Sequence, residues 1–258
     1  MADGRIETAL RRVRDGGGKA LVPYVTGGLG DDWDDVVRAV ASAGADAIEI
    51  GIPFSDPVMD GPVIQRASER ALAAGATPGA ILSVAARIDV DVPLVVMTYY
   101  NVVFRAGHRR FARSLADAGI AGAIVPDLPL DEAGDWLAEA EGAGVETILL
   151  AAPTTPDDRL VRICAASRGW VYAVGIMGVT GERESLAASA AVMGKRVKAV
   201  TDTPVLIGVG VSTPEQAVEA AASADGVIVG SALVRRLLDG AGPDGARDFV
   251  ASLRAALT

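Results

Sequence analysis

The 258-residue chain sets 24 Lys plus Arg against 33 Asp plus Glu, a formal charge of −9, and half of its residues are hydrophobic. An acidic chain lacks the basic footprint that binding to a phosphate backbone requires, which argues against nucleic acid as its main ligand. Apolar runs such as Leu94 to Met97 fall far short of the ~18–20 residues that cross a bilayer, and the N-terminal stretch has no signal-peptide core, so a soluble cytoplasmic protein is expected.

Rare residues narrow the chemistry. A single cysteine, Cys164, leaves no internal disulfide and no CxxC metal site. The lone histidine, His108, removes HExxH and histidine-cluster metal centres. Only three lysines occur: Lys19, Lys195 and Lys198.

In chain order, an amphipathic leader helix stops at Gly16-Gly17-Gly18. Eight short apolar runs follow. They are Leu21–Thr26, Ala47–Ile52, Leu94–Tyr99, Ala123–Pro126, Thr147–Ala151, Trp170–Gly175, Val205–Gly210 and Val227–Gly230. Helical spacing fills the intervals, as in Trp33, Val36, Val37 and Val40, or Leu137 with Ala138 and Ala140. Near-continuous apolar strands alternating with helices predict a parallel sheet covered by helices. Eight such units match a single (β/α)₈ barrel domain over residues 1–258, with an extra N-terminal helix and a long loop after the second strand. A doubly wound sheet is the alternative, because counting strands does not show closure.

Two carboxylates stand out. Alternation puts Ala47, Glu49 and Gly51 on one face of the second strand, opposite Ile48 and Ile50. If the isoleucines face helices, Glu49 points into the barrel near the strand's C-terminal end. Burial there raises a carboxyl's pKa toward neutrality, the condition for general acid/base work. A Glu neutralised by an Arg or by backbone donors is the plainer alternative. Asp60 lies in a loop braced by Pro57 and Pro62, which could hold it over the barrel mouth. On pattern alone, ordinary Asp-Pro and Asp-Gly turn chemistry is the favoured explanation. Gly208-Val209-Gly210 and Gly230-Ser231 end the last two strands, and Gly178 to Gly181 follows the sixth. Glycines there let backbone N–H groups approach an anion, and a helix beginning at Ser231 adds its positive end, although ordinary turns explain each glycine pattern equally well.

Ile48–Gln65, reading IEIGIPFSDPVMDGPVIQ, resembles the signature of the tryptophan synthase alpha subunit. Further matching segments are VPYVTGG, MTYYN, PDLPLDE, GVTG, GVGVSTPEQ and ADGVIVGSALV, which together cover all but the terminal helices. The resemblance implies a lyase of tryptophan biosynthesis that splits indole-3-glycerol phosphate by retro-aldol cleavage. It implies Glu49 as general acid/base and Asp60 as the carboxylate that accepts the indole N–H. Tyr172 matches an active-site tyrosine, and Tyr24, Tyr99, Ile124 and Leu150 match the indole pocket. Gly181, Gly210, Gly230 and Ser231 match phosphate-holding positions, and Thr180 a residue that helps close the site. An α₂β₂ complex with a beta subunit is implied, with Asp56 and Pro57 touching the partner. The alpha chain itself would need no cofactor or metal, pyridoxal phosphate belonging to the beta partner. Departures are Gly175-Ile176-Met177, where many relatives carry Ser-Arg before the glycine, Met59 in place of Ala, and Gly28-Leu29-Gly30-Asp31 in place of a tighter Gly-Asp-Pro-like turn.

Exclusion agrees with this expectation. A Schiff-base aldolase needs a lysine in the barrel mouth, yet Lys19 precedes the first strand and Lys195 and Lys198 fall in a helical stretch. His108, before a predicted helix, is expected to be solvated or capping. Two competing functions remain at this level: a stand-alone lyase releasing free indole, and a phosphate-binding barrel that regulates a partner without catalysis.

Overall fold

Strands that are apolar on both faces must be covered on both, and the chain meets this demand by closing eight parallel strands into a barrel. The computed structural model describes residues 4–175 and 183–258, with backbone alone over 183–190. Helix α1 (Arg5–Asp15) precedes β1 (Ala20–Thr26), α2 (Trp33–Ser42) and β2 (Ile48–Gly51). Helices α3 (Pro62–Ala73) and α4 (Pro78–Ala85) separate β2 from β3 (Leu94–Met97). Next come α5 (Tyr100–Ala106), α6 (His108–Asp117), β4 (Gly122–Ile124), α7 (Gly134–Gly142) and β5 (Glu146–Ala151). They lead to α8 (Asp157–Ala166), β6 (Val171–Val174), α9 (Arg183–Lys198), β7 (Val205–Gly208) and α10 (Pro214–Ala221). The final elements are β8 (Gly226–Val229), α11 (Ser231–Leu238) and α12 (Gly242–Ala256). Closure comes from β8 pairing with β1, Val22 opposite Ile228.

Every predicted run overlaps a strand. The fourth stops at Ile124 rather than Pro126, since proline has no N–H to continue the ladder. The long interval after β2 opens with a loop over residues 52–61, and α3 and α4 occupy much of the rest. In α7 the inward stripe is Trp136, Leu137 and Ala140, while Ala138 is exposed, because positions 136 and 140 share a face and 138 lies opposite.

Strand parity divides the core in two. Leu21, Val25, Ile48, Ile50 and Val96 face outward, packing with Trp33, Val36 and Val40 of α2. Val22, Val95, Leu206 and Ile228 fill the barrel interior. Ile6 and Leu10 of α1 join that interior cluster beside Ile148 and Trp170. Burying each is worth about 2 kcal/mol. The helix is held there by Glu146 at the start of β5, whose carboxylate accepts the Ile6 and Glu7 N–H groups at 2.8 and 3.0 Å. A carboxylate on a helix N-terminus satisfies its orphan donors and meets its positive end. Thus α1 plugs the N-terminal face of the barrel and leaves the C-terminal face for the site. The glycine stop is as expected: the Gly18 N–H returns to the Val13 carbonyl at 3.0 Å.

Candidate active site

The C-terminal ends of the strands surround a cavity of about 210 Å³. Inward parity on β2 delivers Glu49 to its wall, directly beside Tyr24 of β1 in the strand register. Two glycines make room for two tyrosines. A Cβ on Gly51 would sit 1.8 Å from the Tyr24 hydroxyl oxygen, and one on Gly208 would lie 2.6 Å from the Tyr172 ring. Only a residue without a side chain lets each ring lie across the neighbouring strand. Burial drives both phenols well above their ordinary range, so they serve as donors and not as bases.

Glu49 is 1% exposed, and its Oε1 has no hydrogen-bond partner among the described residues. Among the described residues no Lys, Arg or His lines the cavity. Ionisation there costs more than protonation, so burial pushes the Glu49 carboxyl up to about 8. The alternative of an Arg or backbone-neutralised glutamate finds no such partner among the described residues. Asp60 reaches the same cavity from the 52–61 loop. Its N–H bonds the Pro57 carbonyl at 3.1 Å, and Gln65 Nε2 donates to its carbonyl at 2.9 Å. Its carboxyl is pushed up to about 6 by burial, partly offset by Tyr99 acting as a donor. Two carboxyls in one cavity therefore titrate apart, Glu49 neutral and Asp60 largely ionised at pH 7, which divides acid and electrostatic roles between them.

Across the mouth, β7 and β8 bring Gly210, Gly230 and Ser231 to the cavity wall. Gly210 has φ +76°, a conformation that costs other residues strain. Helix α11 begins at Ser231, as expected, so its N-terminal N–H groups open onto the cavity. A helix start of this kind can receive an anion.

The structure brings Glu49, Asp60, Tyr24, Leu150, Tyr172, Gly210, Gly230 and Ser231 around this one space. Two expected pocket residues are not on its wall. Ile124 is buried within the interior cluster, and Tyr99 stands behind Asp60, its hydroxyl accepting the Met59 N–H at 2.9 Å. Asp56 is exposed and Pro57 half-buried on the outer part of the loop. Thr180 and Gly181, with Ile176, Met177 and the rest of the GVTG segment, lie outside the described residues. Met97, Val174 and Ile228 line the cavity and were not singled out in the sequence; each follows the inward parity of Val95, Tyr172 and Gly226, which is the signal that marks them.

The three lysines sit elsewhere. Lys19 Nζ donates to the Ala224 carbonyl at 2.6 Å, at the N-terminal end of the barrel. Lys198 pairs with Asp225, and Lys195 is exposed at the end of α9. His108 is neither a cap nor fully solvated. It opens α6 half-buried, its Nε2 3.0 Å from the Tyr100 hydroxyl, because Gly107 takes the capping position with φ +85°. Among the described residues no cluster of His, Cys, Asp and Glu has the makings of a metal site, and no helix is long and apolar enough to cross a membrane.

Buried unpaired carboxyl, second carboxyl and anion-ready helix end thus coincide at the mouth of a TIM barrel. The model of the family described as tryptophan synthase alpha chain matches residues 10–255. The chain belongs to that family. Like its tryptophan synthase alpha relatives it is a lyase of tryptophan biosynthesis that cleaves indole-3-glycerol phosphate. It is 46% identical to the tryptophan synthase alpha chain of Halorhodospira halophila, over 98% of this chain and 96% of that one. Identity to the alpha chain of Thermobifida fusca is 45%, covering 96% and 97% respectively. Among solved structures, tryptophan synthase from Mycobacterium tuberculosis superposes with a TM-score of 0.92 at 42% identity, covering 99% of both chains. Tryptophan synthase subunit alpha from Legionella pneumophila gives 0.89 at 32% identity, again over 99% of each.

Proposed function

We propose that the cavity at the barrel mouth is where indole-3-glycerol phosphate is cleaved, with Glu49 as general acid/base and Asp60 as the electrostatic partner. The observation that carries this reading is the buried, unpaired Glu49, with a pKa of about 8 and so protonated at neutral pH, facing the same space as the more acidic Asp60. Glu49 gives its proton to C3 of the indole, generating a cation delocalised onto the ring nitrogen. The Asp60 carboxylate accepts the indole N–H and stabilises that charge as it develops. The Glu49 carboxylate then takes the proton of the hydroxyl on the adjacent glycerol carbon. The C–C bond breaks, its electrons restore the indole, and glyceraldehyde 3-phosphate leaves with Glu49 reprotonated. Gly210, Gly230 and Ser231 hold the phosphate, while Tyr24, Leu150 and Tyr172 enclose the ring. Indole itself is the electron sink, so the step calls on no Schiff-base lysine.

The chain acts as one barrel domain and pairs with a tryptophan synthase beta subunit in an α₂β₂ complex. Pyridoxal phosphate belongs to that partner: none of the three lysines here reaches the cavity to form the Schiff base it requires. Exposed apolar side chains at the mouth support a partner surface beside Asp56 and Pro57. Val58 is 80% and Met59 57% exposed on the 52–61 loop. A cytoplasmic location fits such a complex. The test is indole release from indole-3-glycerol phosphate by the purified chain, with and without beta subunit. Slow release accelerated by the partner is expected. Full activity alone would make it a stand-alone lyase, and no release under either condition would make it a binding barrel.

A further inference from the structure

The 52–61 loop delivers Asp60 to the cavity while its neighbours Val58 and Met59 stand in solvent. Such a loop needs an anchor on rigid structure, and Tyr99, two residues past β3 and buried, supplies it. Its hydroxyl accepts the Met59 N–H at 2.9 Å, one residue before Asp60. Its ring stacks on Phe54, near the loop's start, with centroids 5.1 Å apart and planes inclined by 23°. The same hydroxyl interacts with the Asp60 carboxyl, raising the phenol's pKa and lowering the carboxyl's. One side chain thus grips both ends of the segment that carries Asp60.

We propose that Tyr99 is a positioning residue for the cleavage reaction: through its hydroxyl it fixes the Asp60 carboxylate at the cavity wall, acting on substrate only by way of Asp60. This rests on the role given to Asp60 above. The groups that face Asp60 are Tyr24 of β1, Tyr172 of β6 and Tyr99 itself, with Glu49 of β2 on the same cavity wall. Burial drives Asp60 toward its neutral form, and the Tyr99 hydroxyl opposes that. A neutral Asp60 could not stabilise an indole cation, so loss of the hydroxyl should be felt most at low pH.

Tyr99→Phe keeps the ring and its stacking but removes the hydroxyl. Two measurements test the proposal: the pH profile of kcat/KM for indole release, and the titration of Asp60 in protein labelled with ¹³C at aspartate carboxyls, its resonance assigned by its absence from Asp60→Asn. An upward move of the Asp60 midpoint by about one pH unit is expected, which lowers its ionised fraction roughly eightfold at pH 5.5 but only about twofold at pH 7. The acidic limb of kcat/KM should move with it. An unmoved midpoint, or a loss of the same size at every pH, would overturn the proposal, since a purely structural defect gives that pattern. Asp60→Asn separates the two claims: if it cleaves at the wild-type rate, the role of Asp60 falls, whatever the Tyr99→Phe titration shows.

Discussion

Replacing Glu49 with Gln removes the ionisable group while keeping its volume, and it should make the protein less active and more stable at neutral pH. Glu49 titrates near 8 when folded and returns to its ordinary 4.5 when the chain unfolds. The folded value lies above the unfolded one. Its contribution is therefore fully favourable below about 4.5 and is lost progressively as pH rises toward 8, because unfolding releases the proton. Each pH unit inside that window costs about 1.4 kcal/mol, so between pH 5 and pH 8 wild type should lose roughly 3–4 kcal/mol relative to Glu49→Gln. Gln titrates in neither state, so any constant effect of the amide cancels when the gap is followed against pH. Urea unfolding of both proteins at pH 5, 6, 7 and 8 measures the gap directly. In parallel, Glu49→Gln should reduce indole release about 10²–10⁴-fold, the usual loss for a general acid, and the wild-type profile should fall above about pH 8. A gap that stays constant with pH would mean that Glu49 is ionised in the folded protein. It could then not deliver a proton at pH 7, and the acid role would be lost along with the stability argument.

Two further substitutions probe the walls of the same cavity. Gly51→Ala places a methyl group 1.8 Å from the Tyr24 hydroxyl oxygen; it should push that ring into the cavity, raise KM and cost about 1–3 kcal/mol in unfolding free energy. Unchanged KM and stability would show that the tyrosine has room to move aside. Ser231→Asp puts a negative charge at the start of α11, beside the proposed phosphate position. KM for indole-3-glycerol phosphate should rise tenfold or more with kcat nearly intact, the signature of lost ground-state binding. A selective fall in kcat would place the phosphate elsewhere.

Much of this arrangement was legible in the sequence, because it depends on local rules. Period-two alternation in Ala47 to Gly51 fixes Glu49 opposite Ile48 and Ile50, so its inward direction follows once the isoleucines face helices. Eight apolar runs separated by helical spacing contain the barrel's strand count, and the signature around Asp60 carries the family. Closure was not legible, since it is decided by the pairing of β8 with β1, two segments some 200 residues apart. The pKa of Glu49 belongs to the same category. A glutamate in a sequence titrates near 4.5, and only burial in the assembled wall, which holds no cation among the described residues, raises it to about 8. Tyr99 shows the difference most plainly. Its position at a strand end is compatible with lining the cavity, but the route taken by residues 52–61 brings Met59 and Phe54 onto its hydroxyl and ring and so sets it behind Asp60. Sequence determines which side chains are available and which way each faces along its own element. Their neighbours across the barrel, and hence their charge states and contacts, exist only once distant strands have closed around a common space.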